Sequence, residues 1–378
     1  MVNQRRNSIT TAVFFLLWVN LAVLAGPFDR NLRADPLYHS VAESAVNSFP
    51  PNCIGKELDF RNLICEQAES AMYLPTWVDF PKRAPAYEQL DPSPVVHPSI
   101  LYFPDGYLGY KYWMAYTLWN GSARRENPHV VVSNDGVTFS LFYNSDQTDS
   151  LENPLYTPEE LSLPAAAHLS DPDLFLTNEG ELAIAFRVTD KSLVYDPDDT
   201  VHYIVAGFTS DGLTWTNHEG LSNLPISDKT VDTLIGPAAG SARIMSPSVV
   251  TLPSTGYQMW LVDHDKQLAQ SRIIRLTSDN PHSNWILADT CQWPVSNQDF
   301  KHWHLDVIPD DSGRYVGLVN ETELDSTGTG GHLCISNSID GGLTWSASKT
   351  ILLPGLSDGD SDSWTSNGIY RSSAFVLE

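Results

Sequence analysis

The sequence predicts an all-β chain folded as a five-bladed β-propeller, closed by pairing of an N-terminal arm with the C-terminal strand. Three observations lead there. First, a polar knot running into an apolar stretch recurs as His97-Pro98-Ser99-Ile100, Asp171-Pro172-Asp173-Leu174, Ser246-Pro247-Ser248-Val249, His304-Leu305-Asp306-Val307 and Tyr370-Arg371-Ser372-Ser373. Counted from His97, the steps to Asp171, Pro247, Asp306 and Arg371 are 74, 76, 59 and 65 residues. A near-regular period in a β pattern marks radial repetition, in which each repeat is a small sheet around a common axis. Second, a turn segment returns as Ser133-Asn134-Asp135-Gly136, Thr209-Ser210-Asp211-Gly212 and Ser338-Ile339-Asp340-Gly341-Gly342, each followed by an aromatic residue, with a degraded copy at Thr277-Ser278-Asp279. Third, the chain holds 25 Pro, 23 Gly, 15 Tyr and 11 Trp and few stretches of helical period, which favours strands and turns.

Taken in order, residues 1–25 read as a secretory signal: Arg5 and Arg6 give the positive end and Ala12 to Leu24 the apolar run. The run is short for a membrane span and contains Asn20. Export to the extracellular space is therefore expected, with no membrane association after the signal is removed. Residues 26–90 are irregular and Pro-containing, and are expected to be an arm supplying outer strands of the last blade. Residues 91–378 form the propeller. Within it each knot opens an inner strand, followed by a second strand such as Tyr110-Lys-Tyr-Trp-Met-Ala-Tyr or Glu181-Leu-Ala-Ile-Ala-Phe-Arg187, then a third that ends in the repeated turn. In that turn the Asp carboxylate accepts from following backbone N–H groups, Gly supplies positive φ and the ring packs beneath. Asp171 and Asp173, two apart on one strand, are expected to point to one face.

The formal net charge is −24, and about −26 without Arg5 and Arg6, which argues against nucleic-acid or anionic-membrane partners. Four cysteines in an exported chain suggest two disulfides. Three pairings are possible; Cys53–Cys65 and Cys291–Cys334 are preferred because the first closes a short loop and the second ties neighbouring repeats. Without CxxC spacing the cysteines give no metal motif, and no cofactor is implied. Asn120 and Asn320 fit the N-glycosylation sequon.

The repeated turns resemble the Asp-box of sialidases and related propellers. The repeat plan with axial carboxylates resembles the furanosidase superfamily of glycoside hydrolases, represented by families 43, 32 and 130, over roughly residues 90–378. That resemblance implies a sugar held in a funnel at the axis, with acidic residues from different blades acting as base or nucleophile and as general acid. An oligo- or polysaccharide substrate follows from it. Asp171 and Asp306 match the positions of acids opening inner strands. The first and third inner strands begin with His97 and Ser246 where family members carry a catalytic aspartate and glutamate, so replacement carboxylates are sought at strand ends, with Glu126 and Glu321 first. Asp173, His97, His304, Arg187, Tyr370 and Arg371 are expected to shape the substrate pocket, with Arg187 and Arg371 suited to a carboxylate. Trp303 could stack on a sugar ring or fill a blade core. A carbohydrate-binding propeller without catalysis and a sialidase-like hydrolase of acidic sugars are the alternatives.

Overall fold

In the first four repeats the polar knot and the apolar stretch after it lie on one strand, which stands at the edge of an antiparallel sheet. The computed structural model describes most of residues 95–375 and, before them, the strands β1 (Leu17–Val19), β2 (Lys56–Asp59) and β3 (Ile64–Gln67). No helix occurs among the described residues. The first sheet is β4 (Val95–Tyr107), β5 (Tyr110–Leu118) and β6 (His129–Ser133). The second is β7 (His168–Leu176), β8 (Leu182–Asp190), β9 (Val201–Thr209) and β10 (Asp232–Ala238). The third is β11 (Ala242–Leu252), β12 (Gly256–Asp265), β13 (Gln270–Ser278) and β14 (Ile286–Thr290), and the fourth β15 (Phe300–Pro309), β16 (Tyr315–Glu323), β17 (His332–Ser338) and β18 (Lys349–Leu352). Neighbouring strands in these four sheets are consecutive in the chain. Apolar cores lie between sheets: Trp113, Phe142 and Phe186 join the first to the second, Phe175, Phe208 and Met259 the second to the third, and Trp260, Trp293 and Val319 the third to the fourth.

The last strand, β19 (Arg371–Ser373), pairs with β1 in the register Leu17↔Ser373, Trp18↔Ser372 and Val19↔Arg371. This pairing draws on the stretch read from sequence as a secretory signal, whereas residues 26–90 contribute the separate hairpin β2–β3. An apolar run of Leu, Val and Trp suits a signal and a buried strand equally, so its pattern could not separate the two.

Around the axis β4 neighbours β7, β7 neighbours β11, β11 neighbours β15, β15 neighbours β19, and β19 returns to β4. One hydrogen-bond rule repeats at every step. The third residue of each of the first four knots, and the fourth residue (Ser373) of the last, accepts the N–H that follows the corresponding position of a neighbouring knot. Ser99 Oγ accepts from Leu174 N at 2.9 Å, Asp173 Oδ2 from Val249 N at 2.7 Å and Ser248 Oγ from Val307 N at 2.8 Å. Asp306 Oδ2 accepts from Ala374 N and Ser373 Oγ from Ile100 N, both at 3.2 Å, which closes the ring. The inner strands of different sheets cannot form a ladder with each other, so these side chains satisfy buried backbone donors that would otherwise be orphaned.

The first position of the knot has a different geometry. His97, Asp171 and Ser246 adopt φ of 55°, 54° and 53°, each directly before proline, a conformation costing about 1–3 kcal/mol per residue. Each lies where the register of the inner strand slips, between Val96 and Ser99, Ser170 and Asp173, and Met245 and Ser248. The slip breaks the two-residue alternation, so Asp171 and Asp173 do not act as same-face neighbours; they have separate sets of partners. Bulges re-aim side chains in this way. The fourth sheet slips between His302 and His304 instead.

The expected Cys291–Cys334 disulfide is not formed: both are free, buried thiols. Cys291 donates to Gly342 O, and Cys334 lies on β17 in contact with Thr350 Oγ1. Sharing one apolar cluster does not bring two sulfurs into bonding geometry. Cys53 and the side chain of Cys65 lie outside the described residues. Asn320 is buried and donates to His332 O, so the folded chain does not present it as a glycosylation acceptor.

The repeated turns share one construction. In each, a Ser or Thr hydroxyl donates to the Asp Oδ1 two residues on and accepts the Gly N–H, while that same Oδ1 accepts from the following Thr N–H. Gly342 stands at φ 80° with its α-carbon against the Trp260 ring, leaving no room for a methyl group. Gly342→Ala should therefore destabilise the protein by about 1–3 kcal/mol, read as a lowered midpoint in thermal unfolding followed by circular dichroism.

Candidate active site

The bulges at the starts of β4 and β7 bring His97 and Asp171 together, and β15 adds His304. His97 Nε2 lies 3.0 Å from Asp171 Oδ1, and His304 Nδ1 is 3.6 Å from the same oxygen. All three side chains are buried. The His97 ring is fixed from behind by a 2.8 Å hydrogen bond between Nδ1 and Thr117 Oγ1, and the His304 ring by Ser246 Oγ. Arg187 on β8 places Nε 3.0 Å from Asp171 Oδ2 and also donates to Ser170 Oγ. Ser170, Thr117 and Ser246 were not singled out in the sequence as site residues; their only signal is a position adjoining a knot or facing one across the sheet.

Electrostatics sets distinct protonation states here. Burial pushes Asp171 up, but Arg187, His97, His304 and Arg371 act against it and hold the carboxyl well below the usual range. Burial takes His97 down to about 3 despite Asp171, and takes His304 well below its ordinary value. Both imidazoles are therefore neutral at physiological pH. Glu126, whose carbonyl accepts from Leu169 N at 2.9 Å, is buried and pushed up to about 8 by desolvation, with Arg187 opposing. Tyr370 packs against His97 and His304 with ring centroids at 5.0 and 4.4 Å, and burial raises its phenol well above the ordinary range. Arg243 completes the surround; burial, then the like charge of Arg187, lowers its pKa.

The other sequence candidates lie elsewhere. Asp173 and Asp306 belong to the axial ring, where Asp173 also accepts from Ser99 Oγ and Asp306 from Ser248 Oγ. Arg371 donates to Pro172 O and Pro247 O at 3.2 Å and lies 3.6 Å from Asp173 Oδ1, so it is the cation of that ring. Glu321 forms a separate cluster with Ser296, His302 and His332. Trp303 is buried in the core between the third and fourth sheets, with the Arg243 guanidinium 5.3 Å from its ring centroid. The site thus gathers Glu126, Asp171, His97, His304, Arg187 and Tyr370.

The spacing of His97, Asp171 and His304 in the sequence gives no metal motif, yet the fold makes one. Their ligand atoms lie within 4.8 Å of one another. His97 Nε2, Asp171 Oδ1 and His304 Nε2 are all buried without a well-aligned hydrogen-bond partner. Two neutral imidazoles and one carboxylate suit a divalent transition-metal ion.

No protein-family model and no curated protein matches the sequence. Among solved structures, the chain is similar to an N-acetylgalactosamine deacetylase from F. plautii, in complex with blood group B trisaccharide. The TM-score is 0.61 at 21% identity, over 79% of each chain. That similarity shows a shared fold. Weaker likenesses are to an α-L-arabinanase from Penicillium chrysogenum (TM-score 0.42, 13% identity, 69% of each chain) and an endo-1,5-α-L-arabinanase from Thermotoga petrophila (0.44, 14%, 78% of this chain and 68% of that one).

The axial carboxylates make a pH prediction. Burial, then Asp306, pushes Asp173 up to about 7, and burial raises Asp306 too, with Arg371 opposing. In the unfolded chain an aspartate ionises near pH 4. Between about pH 4 and 7 the folded state therefore retains a proton that the unfolded state has lost, and this contribution to stability declines as pH rises. Asp173→Asn removes the titration. The stability of this variant relative to wild type, from urea unfolding, should improve between pH 4 and 7 and then level off.

Proposed function

We propose that this chain is a secreted hydrolase of glycans, built as a five-bladed propeller, with Glu126, Asp171, His97 and His304 at its reaction centre. The observation that carries the reading is a pair of carboxyl groups driven apart in one buried centre: Glu126 retains its proton to about pH 8 while Asp171 stays ionised. Such a divergence separates an acid from a charge-stabilising base. The ring of side-chain hydrogen bonds through β4, β7, β11, β15 and β19 supports five blades.

For a glycosidic bond, Glu126 donates its proton to the leaving oxygen. Asp171 Oδ1, held by the contacts to His97 and His304 without a well-aligned hydrogen bond, faces the positive charge that develops on the sugar ring. Arg187 fixes the other carboxylate oxygen and keeps Asp171 ionised. Tyr370, raised and therefore protonated, is a hydroxyl donor for the substrate.

A second reading is favoured by the convergence of His97, Asp171 and His304 and by the fold shared with the deacetylase. It is removal of an acyl group from an amino sugar. A divalent ion held by the three side chains would supply Lewis-acid polarisation of the acyl carbonyl and a more acidic water. Glu126, titrating near the working pH, would accept a proton from the attacking water and return it to the leaving amine.

Reducing ends and free acetate, measured together on a panel of plain and N-acetylated oligosaccharides, separate the readings. Glycoside hydrolysis yields new reducing ends that chelator does not suppress. Deacylation yields acetate without reducing ends and stops with chelator. In either case Glu126→Gln should lower kcat by about a hundredfold or more. Glycan binding with neither product would identify a carbohydrate-binding propeller instead.

Export rests on Arg5, Arg6 and the apolar run to Leu24. N-terminal sequencing of protein recovered from the culture medium should begin near residue 26. A mature chain that retains Leu17–Val19 would instead keep β1 as the partner of β19.

A further inference from the structure

The cluster around Glu321 is built as deliberately as the axial one and shares no residue with it. His302 on β15 is the register partner of Glu321 on β16, and Glu321 is the register partner of His332 on β17. Register partners project from one face of a sheet, and Cys334, two residues beyond His332, projects from the same face. All four side chains are buried. His302 Nε2 lies 3.7 Å from Glu321 Oε1, and His332 Nε2 lies 3.7 Å from Glu321 Oε2. The ligand atoms of Glu321, His332 and Cys334 fall within 4.8 Å of one another.

The 3.7 Å separation of His332 Nε2 from Glu321 Oε2 is close to that around a tetrahedral ion, whose bonds of about 2.0–2.3 Å set ligand atoms roughly 3.3–3.8 Å apart. Two further observations point to an occupant. Both ring nitrogens of His302 are buried without a hydrogen-bond partner, which is costly unless something else satisfies them. The ion-pair partners of Glu321 among the described residues are the two imidazoles, with neither Lys nor Arg. The carboxylate is meanwhile oriented from outside: Ser296 N donates to Oε1 at 3.2 Å and to Oε2 at 2.9 Å, and Ser296 Oγ donates to Oε2. Outer hydrogen bonds of this kind hold first-shell ligands in place. Trp293 and Phe300 wall the cluster, packing on His302 and His332 respectively.

We propose that Glu321, His332 and Cys334 form a structural site for a borderline-soft divalent cation of the zinc class, tying β16 to β17, with the buried His302 of β15 beside Glu321. Sulfur with an imidazole selects against calcium and magnesium. Three buried protein ligands, walled by His302, Trp293 and Phe300, suit an ion that braces the fold. On binding, the cation displaces the Cys334 thiol proton to solvent, and the thiolate and the Glu321 carboxylate balance its two charges.

The full-length protein loaded with Co²⁺ tests this. A sulfur-to-cobalt charge-transfer band in the near ultraviolet is expected, together with tetrahedral bands in the visible. Cys334→Ser should lose that band and one equivalent of bound metal, whereas Asp171→Asn, which alters the axial cluster, should keep the band. Absence of a thiolate band in the loaded wild type would overturn the proposal, as would its survival in Cys334→Ser. Should that variant not fold, the wild type suffices: chelator should abolish the band and lower Tm, and Zn²⁺ should restore the Tm. A Tm indifferent to both would show a hydrogen-bonded polar cluster without metal and overturn the structural role.

Discussion

The ring of hydrogen bonds from Ser99, Asp173, Ser248, Asp306 and Ser373 is the constraint on which the rest of the structure depends. Sheets arranged about an axis present their inner strands to one another at an angle that excludes ladder pairing, while those strands stay buried. Their N–H groups still need acceptors. A hydroxyl or carboxylate carried by each knot supplies one, and the same contact sets the spacing between neighbouring sheets. Two of the five acceptors are aspartates, and burying both requires compensation. Arg371 supplies a positive charge, and the raised pKa of Asp173 lets a proton supply the rest below about pH 7.

Once one hydroxyl or carboxylate of each knot is committed to the ring, the first residue is free to do something else. Positive φ before proline at His97, Asp171 and Ser246 turns these side chains away from the strand alternation. Strain of this kind persists only where the surroundings over-determine it. Here the ring clamps the chain two residues later, and Thr117, Ser170 and Arg187 clamp the side chains. The result is a buried centre in which a carboxylate stays charged, two imidazoles stay neutral and Glu126 titrates near pH 8. Low dielectric strengthens each of these preferences.

A contrast follows between the two His-containing clusters. The axial one is assembled from several sheets, by residues far apart in the chain. The one at Glu321 lies within a single sheet, set by strand register and by Ser296 from the loop before β15. The axial cluster therefore depends on correct assembly of the whole ring, and the second on one sheet and its adjoining loop.

The sequence by itself determined the all-β class, the location of every inner strand and the repeated turns, although the first four inner strands begin two to four residues before their knots. These depend on local rules: polar knots, apolar runs, and Asp-Gly chemistry that works over a few residues. Asp171, His97, His304 and Glu126 were also legible as candidates, because charged residues at strand openings stand out against apolar surroundings. Tertiary structure decided their grouping. It sent Asp173, Asp306 and Arg371 into the axial ring, Trp303 into a core and Glu321 into another cluster, although the residue types alone suited a pocket equally well. It also kept Cys291 and Cys334 apart, and paired β19 with Leu17–Val19. The physical reason is common to all of these. A residue's burial, its direction at a bulge and the charges it meets are set by strands remote in sequence, and no local pattern encodes them.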